Sequence, residues 1–294
     1  MSLKTIEARI KLNGGFYYAD YEGVRIVCRA RGKFRNDGIS PVVGDIARID
    51  VESDNTGYLQ ELLPRRNFLI RPNIANIDLL IMVLSVVEPP VNFGVTDRML
   101  AICEYKNIPA AIVMTKADME HEKAAEVAAI YRKAGYPVII TGENDRERSE
   151  LMALMGNKLS VLTGNTGAGK STLLNFLDGG LHLETGEISK KLGRGRHTTR
   201  TTGIFKVDTA FIADTPGFSS LETIRLVKIE KEYLQNCFID FAPFRENCRF
   251  TGCSHRTEKG CAVLKAVEEG KISRSRHLTY MEMYEESAKL KDWE

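Results

Sequence analysis

Hydrophobic and polar positions alternate through the first sixty residues. Five short segments alternate in this way or are rich in β-branched residues, and glycine, aspartate or proline separates them. They lie at residues 5–10, 15–19, 24–29, 45–51 and 57–62. Five strands without a helical pattern predict a small closed β-barrel of the OB type. Such barrels often bind nucleic acid, but a barrel used only for packing is the alternative, because a fold does not fix a function.

Beyond residue 68 the apolar segments become nearly continuous, as in parallel strands buried on both faces. They lie at residues 78–87, 110–114, 138–140, 159–163 and 211–213. Helical patterns at 96–105 and 122–133 separate several of them, which indicates an α/β domain. After about residue 230 the strand pattern ends, and helical patterns follow at 262–269 and 273–290. The sequence therefore predicts three domains, at residues 1–68, 69–225 and 226–294.

A glycine-rich segment between an apolar strand and a helix matches the phosphate-binding pattern G-x-x-x-x-G-K-[ST]. Its glycines let successive backbone N–H groups point at phosphate oxygens. We expect Lys170 to reach the β- and γ-phosphates and to act in catalysis, and the Ser171 hydroxyl to bind Mg²⁺. The predicted phosphate-binding residues are Gly164, Asn165, Thr166, Gly167, Ala168, Gly169, Lys170, Ser171 and Thr172. This loop alone does not distinguish ATP from GTP.

Two further motifs point to GTP. Thr115-Lys116-Ala117-Asp118 follows the strand at 110–114, and a carboxylate at Asp118 can accept two hydrogen bonds from guanine that adenine does not offer. Thr115 stands where asparagine is more usual, which we expect to weaken a hydrogen bond that ties the loop. Asp214-Thr215-Pro216-Gly217 follows the strand at 211–213. There Asp214 would hold the Mg²⁺ shell and the Gly217 N–H would contact the γ-phosphate.

The order of these motifs is unusual, because the base-reading motif precedes the phosphate loop. A chain cut and rejoined near neighbouring termini can still build the same sheet. With this order the sequence resembles the circularly permuted, ribosome small-subunit-dependent GTPases, the RsgA/YjeQ family. Matching stretches run through essentially the whole chain, among them PVVGD at 41–45, LIRPN at 69–73 and GRGRHTT at 193–199. One departure is the phosphate loop, NTGAG where the family more often has x-S-G-V-G.

The resemblance implies an N-terminal OB barrel, a central circularly permuted P-loop GTPase domain and a C-terminal zinc-binding, mainly helical domain. It also implies a GTP hydrolase that acts late in maturation of the small (30S) ribosomal subunit, binds its rRNA and is stimulated by the subunit. A permuted GTPase acting on the large subunit is disfavoured, because such proteins lack this pair of flanking domains.

A C-terminal cluster of cysteine and histidine supplies three thiols and one imidazole. Its members are Cys248, Cys253, His255 and Cys261. Zn²⁺ takes four such ligands tetrahedrally, and a closed set of them is typical of a structural site. Ordinary buried cysteines are the alternative. The remaining three cysteines lie apart in the sequence and are expected in the core.

The catalytic water has no obvious partner in the sequence. Phe218 occupies the position after D-x-x-G where many GTPases carry glutamine, so another group must orient water or turnover must be slow. His197 is the histidine nearest this chemistry in the sequence, and a neutral imidazole can orient water. Thr198 or Thr199 should contact Mg²⁺ and the γ-phosphate, and the resemblance favours Thr199. Because Phe218 cannot orient water, the alternative function is that of an RNA-binding protein that uses GTP only as a ligand.

The overall charge says little about binding partners, since 41 Lys and Arg nearly balance 39 Asp and Glu. Residues 185–206 nevertheless hold six basic residues against one acid, a local patch suited to phosphate unless it is only a solvated loop. Without an apolar run of about 20 residues or a secretory signal, we expect a cytoplasmic protein with no membrane partner. Its expected ligands are GTP or GDP with Mg²⁺ and one zinc ion per chain, and we expect a monomer.

Overall fold

The computed structural model describes residues 4–13, 16–32, 34, 38–52, 54–142, 144–177, 203–214 and 220–289. The strands are β1 (Lys4–Asn13), β2 (Tyr17–Tyr21), β3 (Val24–Ala30), β4 (Ile46–Val51), β5 (Thr56–Leu62), β6 (Phe68–Leu69), β7 (Ile74–Ala75), β8 (Leu79–Ser85), β9 (Ala110–Thr115), β10 (Val138–Ile140), β11 (Leu159–Thr163), β12 (Gly203–Val207) and β13 (Ala210–Asp214). The helices are α1 (Phe93–Tyr105), α2 (His121–Lys133), α3 (Asp145–Met155), α4 (Lys170–Leu177), α5 (Ser220–Leu226), α6 (Lys231–Leu234), α7 (Ala242–Arg245), α8 (Ala262–Glu268) and α9 (Arg274–Ala288), with a 3₁₀ turn at Ile239–Phe241.

The first five strands close into the predicted barrel. Strand β1 pairs with β2 and with β4, β2 pairs with β3, and β4 pairs with β5, all antiparallel. A parallel pairing of β3 with β5 completes the ring. Alternate side chains, such as Ile10, Ile49 and Leu59, fill the interior and are fully buried. The alternating pattern of the sequence therefore does mark the inner face of a barrel.

The chain forms two compact units, each made of several segments. The first contains residues 1–79, 151–162 and 171–218, and the second contains residues 80–150, 163–170 and 219–294. In the first unit β11 lies parallel to β13, and β12 is antiparallel to β13. Strand β12 also meets the barrel, where Gly203 pairs with Leu12 of β1.

The second unit is built on three parallel strands in the order β10-β9-β8. All residues of β8 and β9 are buried, as their continuous apolar runs predict. Helix α1 begins at its N-cap Asn92, whose side chain accepts a hydrogen bond from the Val95 N–H at 3.1 Å. Beyond residue 219 the described part of the chain contains helices and turns and no strand, in agreement with the predicted helical C-terminal region.

No helix within the described ranges is long and apolar enough to cross a bilayer.

Candidate nucleotide and metal sites

The phosphate loop runs from the end of β11 to the start of α4, as the sequence predicts. Gly167 and Gly169 both adopt positive φ, at 82° and 89°, which lets the backbone turn sharply. Gly164, with φ of 153°, passes so close to β8 that a Cβ there would lie 2.2 Å from the Val83 carbonyl oxygen. Only glycine fits at this position.

Lys170 lies folded against the loop that precedes it. Its ammonium donates hydrogen bonds to the carbonyl oxygens of Gly164 at 2.6 Å and Asn165 at 3.0 Å. Burial lowers the pKa of Lys170, because a desolvated ammonium is disfavoured. Ser171 and Thr172 follow in the first turn of α4, half-buried and exposed respectively. The Lys170 ammonium therefore lies beside the first two residues of the loop.

The base-reading loop is joined directly to the phosphate loop. The buried Thr115 hydroxyl donates to the Ala168 carbonyl oxygen at 2.7 Å, while the Leu84 carbonyl oxygen lies 3.3 Å away. Thr115 thus makes a tie between the loops, although its single proton gives one hydrogen bond where an asparagine amide could give two. The two motifs, 53 residues apart, meet in the folded chain.

Lys116 and Asp118 lie in the turn that follows β9. Lys116 has a φ of 56°, and its ammonium donates to the Glu88 carbonyl oxygen at 2.5 Å. Ala117 is buried beneath the turn. Asp118 is exposed, and its carboxylate has no hydrogen-bond or ion-pair partner among the described residues. Its acceptor oxygens are therefore available to a ligand.

The structure describes only part of the predicted site that follows the phosphate loop. Asp214 is the last residue of β13, where it pairs with Gly203. His197, Thr198, Thr199, Gly217 and Phe218 lie outside the described residues. Most of the basic segment at 185–206 also lies outside them, and only residues 203–206 belong to β12.

The C-terminal cysteines and histidine come together as predicted. The ligand atoms of Cys248, Cys253, His255 and Cys261 all lie within 4.8 Å of one another. The Cys248 Sγ is 3.6 Å from the His255 Nδ1 and 3.9 Å from the Cys261 Sγ, and the His255 Nδ1 is 3.4 Å from the Cys261 Sγ. Ligands at Zn–S of about 2.3 Å and Zn–N of about 2.0 Å in a tetrahedron would be separated by roughly 3.5–3.8 Å. The four residues fit a tetrahedral cation.

Neighbouring groups orient the imidazole of His255 for this role. Its Nε2 lies 3.0 Å from the Gln235 Oε1, which can accept that N–H and leave Nδ1 to face the thiols. Burial lowers the pKa of His255, which favours the neutral form that a ligand requires. Burial also raises the pKa of the Cys253 thiol to about 12. Thiolates at this position therefore need the charge of a cation.

The chain matches two family models that together span most of its length. The model of the RsgA N-terminal domain matches residues 9–59, and that of the RsgA GTPase matches residues 62–224. The latter covers more than half of the chain. The chain belongs to the RsgA GTPase family.

Individual relatives agree with this membership. The chain is similar to the small ribosomal subunit biogenesis GTPase RsgA of Caldanaerobacter subterraneus subsp. tengcongensis, with 42% identity over 97% of this chain and 96% of the relative. An RsgA from Bacillus cereus is also 42% identical, over 94% and 95% of the two chains.

Two solved structures are similar along the full length. The crystal structure of YjeQ from Thermotoga maritima superposes with a TM-score of 0.82 at 30% identity, covering 98% of this chain and 100% of that one. The crystal structure of YloQ, a circularly permuted GTPase, gives 0.79 at 33% identity, covering 97% and 96%. The predicted fold is confirmed: an N-terminal OB-type barrel, a circularly permuted GTPase domain and a C-terminal helical region with a Cys₃His cluster. As a member of the RsgA family the chain is a GTPase.

Three supporting groups were not evident from the sequence. They are Gln235 behind His255, the Glu88 carbonyl that receives Lys116, and a buried pair of hydroxyls, Thr163 and Ser220, whose oxygens are 2.8 Å apart. A glutamine, a backbone carbonyl and two hydroxyls form no recognisable motif. Only their position in the fold gives them a role.

Proposed function

We propose that the chain hydrolyses GTP as a late assembly factor of the small ribosomal subunit, whose binding stimulates turnover. The observation that carries the proposal is the hydrogen bond from Thr115 to the Ala168 carbonyl, which joins a guanine-reading loop to a phosphate loop. The names of the RsgA relatives supply the subunit as the partner. We further propose that the chain is divided at residues 1–68, 69–225 and 226–294 and acts as a monomer.

The phosphate loop holds the triphosphate. Gly164, Asn165, Thr166, Gly167, Ala168 and Gly169 supply backbone N–H groups, and Thr172 lies in the same helix as Ser171. Lys170 exchanges its carbonyl partners for β- and γ-phosphate oxygens. Ser171, Thr199 and Asp214 would hold Mg²⁺ directly or through water. Mg²⁺ neutralises charge that develops on the phosphates.

The guanine base is read by the loop at 115–118. Asp118 accepts hydrogen bonds from the N1–H and amino groups of guanine, while Lys116 lies along the purine face and Ala117 packs beneath. Asp118→Asn should shift preference from GTP to XTP and weaken GTP binding by about 2–4 kcal/mol. Titration of both nucleotides checks this. Unchanged GTP affinity would remove Asp118 from the role.

The segment before β12 would orient the water molecule that attacks the γ-phosphate. We assign His197 as the water-orienting group, Lys170 and Thr199 as further catalytic residues, and Gly217 as the γ-phosphate contact. His197→Ala should lower the subunit-stimulated rate by about 10²–10⁴-fold with little change in GTP affinity. Full stimulated turnover in this variant would show that RNA, a ribosomal protein or loop backbone positions the water.

The OB barrel and the Cys₃His region would both contact rRNA, and the cluster would hold one structural Zn²⁺. Membership of the RsgA GTPase family argues against the alternative of an RNA-binding protein that binds GTP without turning it over. Turnover with and without small subunits tests the proposed stimulation. Acceleration by small subunits and none by large ones supports the assembly GTPase, whereas equal turnover with and without small subunits would contradict it.

A further inference from the structure

Three charged side chains are buried together where α9 meets α1. Arg276, only 1% exposed, donates through Nε and Nη2 to the Asp240 carboxylate at 2.8 and 2.7 Å. Its Nη1 donates to the Asp97 Oδ1 at 3.0 Å, and the Thr279 hydroxyl donates to the other oxygen of Asp97 at 3.2 Å. One guanidinium thereby joins the 3₁₀ turn, α9 and α1.

Helix α9 also holds the loop that carries the metal cluster. His277, next to Arg276, has its Nε2 2.8 Å from the carbonyl oxygen of His255. One turn further, the Tyr280 hydroxyl donates to the Ser254 carbonyl at 2.8 Å. The same stretch of helix therefore contacts both the Cys₃His loop and, through Arg276, helix α1.

Helix α1 leads from this network to the base-reading loop. Asp97 lies in the second turn of α1, and the neighbouring Thr96 hydroxyl donates to the carbonyl of the N-cap Asn92 at 3.0 Å. Four residues before Asn92, the Glu88 carbonyl receives the ammonium of Lys116. A displacement of α1 along its axis would move the backbone against which Lys116 rests.

The hydrogen-bonded charges of Arg276, Asp97 and Asp240 are better suited to transmitting a displacement from α9 to α1 than to stabilising the contact between these helices. Burying two carboxylates around one guanidinium contributes little net stability compared with apolar packing. Hydrogen bonds to a planar guanidinium are, however, directional, so they favour one register of α9 on α1. Apolar side chains in the same place would tolerate sliding.

We propose that Arg276 and Asp97 are positioning residues through which the Cys₃His region, when it engages the ribosomal particle, sets the base-reading loop for stimulated turnover. This inference rests on the proposed function. It assigns no contact with the nucleotide to either residue. Their effect reaches the nucleotide through α1 and the segment at 88–92.

The test compares three single variants of the full chain. Asp97→Ala cuts the link to α1 while Arg276 keeps both hydrogen bonds to Asp240. It should leave intrinsic turnover and GTP affinity unchanged and lower stimulation by small subunits at least about tenfold, within the usual range of allosteric coupling. Asp97→Asn keeps an acceptor for Arg276 and should restore stimulation. Arg98→Ala, which removes the exposed bridges from α1 to Glu282 and Glu286 of α9, is the matched control and should be stimulated as the native chain is.

A second readout distinguishes transmission from loss of structure. The ratio of particle affinities with a non-hydrolysable GTP analogue and with GDP should approach one in Asp97→Ala, while metal content stays at the native level. Should Asp97→Ala fail to fold, Asp97→Leu, which keeps the branched shape of the side chain without an acceptor for Arg276, takes its place in the same comparison. Full stimulation and a native affinity ratio in the Asp97 variant would overturn the proposed role of Arg276 and Asp97 and would leave the proposed function standing. A native chain that small subunits do not stimulate would overturn the proposed function and this inference together.

Discussion

Gly164 shows how one residue can be required by its surroundings. Its backbone φ of 153° is unfavourable for other residues, and the carbonyl of Val83 occupies the space of a Cβ. The phosphate loop can therefore approach β8 only through the absence of a side chain. This close approach places the Gly164 carbonyl where Lys170 binds it.

Gly164→Ala should shift the loop and lower the free energy of unfolding by about 1–3 kcal/mol, the usual cost of overpacking. GTP affinity should fall at least about tenfold, because the N–H groups of the loop move. Thermal melts and nucleotide titration measure both effects. Gly94→Ala in the first turn of α1, whose Cβ would meet only the Asn92 side chain at 3.5 Å, is the control and should not reduce either quantity. Native affinity in Gly164→Ala would show that the loop adapts.

At the scale of elements, the loop at 248–261 depends on its four ligands more than on a core. Cys253→Ser or chelation should unfold this region while GTP binding by the rest of the chain persists, because structural zinc is coupled to local folding. Metal analysis should find about one zinc ion per native chain. Cys237→Ser is the control, since Cys237 is buried against the Tyr233 carbonyl and is no ligand. A metal-free chain with a fully folded C-terminal region would contradict the assignment.

The contact between α9 and α1 should make stability depend on pH. Burial raises the pKa of Asp97 to about 6 from 3.8, although Arg276, Thr279 and Tyr131 oppose the shift. The native state thus holds this proton more tightly than the unfolded chain. The contribution of Asp97 to stability is then largest below about pH 4 and is lost as the pH rises to about 6, a change of roughly 1–3 kcal/mol.

Denaturant unfolding of the native chain and of Asp97→Asn between pH 4 and 7 measures this contribution. The difference between the two isolates Asp97 from other carboxylates. Glu258, for example, is partly buried but accepts hydrogen bonds from Ser254 and Arg256, which lower its pKa to about 2. Its ionisation therefore changes the free energy of unfolding only at more acidic pH. Parallel pH profiles for the two chains would show that Asp97 ionises as in the unfolded state.

At the scale of the whole molecule, a net charge of +2 provides little attraction for RNA. Binding to ribosomal particles should therefore depend on local basic segments and weaken steeply with salt, as bound counterions are released. Neutralising Arg194 and Arg196 together should flatten the salt dependence by about two phosphate contacts. Neutralising Lys123 and Arg146, on α2 and α3, should not. An unchanged slope in the first variant would make the 185–206 segment a solvated loop.

The secondary-structure elements and the motifs could be predicted from the amino-acid pattern. The predicted strands at 138–140 and 159–163 match the observed bounds of β10 and β11, and the five barrel strands differ from prediction by a few residues. These features depend on neighbours along the chain: alternation follows the pleat, continuous apolar runs follow burial, and the glycines of the phosphate loop follow its backbone turns. The Cys₃His cluster was predictable for the same reason, since its ligands lie within fourteen residues.

Contacts between residues far apart in the sequence could be recognised only in the folded chain. Thr115 and Ala168 are 53 residues apart, and Asp97 and Arg276 are 179 apart. In the sequence, Asp97 and Arg276 resemble any charged residues on the polar face of a helix. Their burial follows from how α1 and α9 cross, and that crossing results from the packing of many apolar side chains at once. No local pattern encodes it, because the free energy of packing belongs to the assembled helices and not to either segment alone.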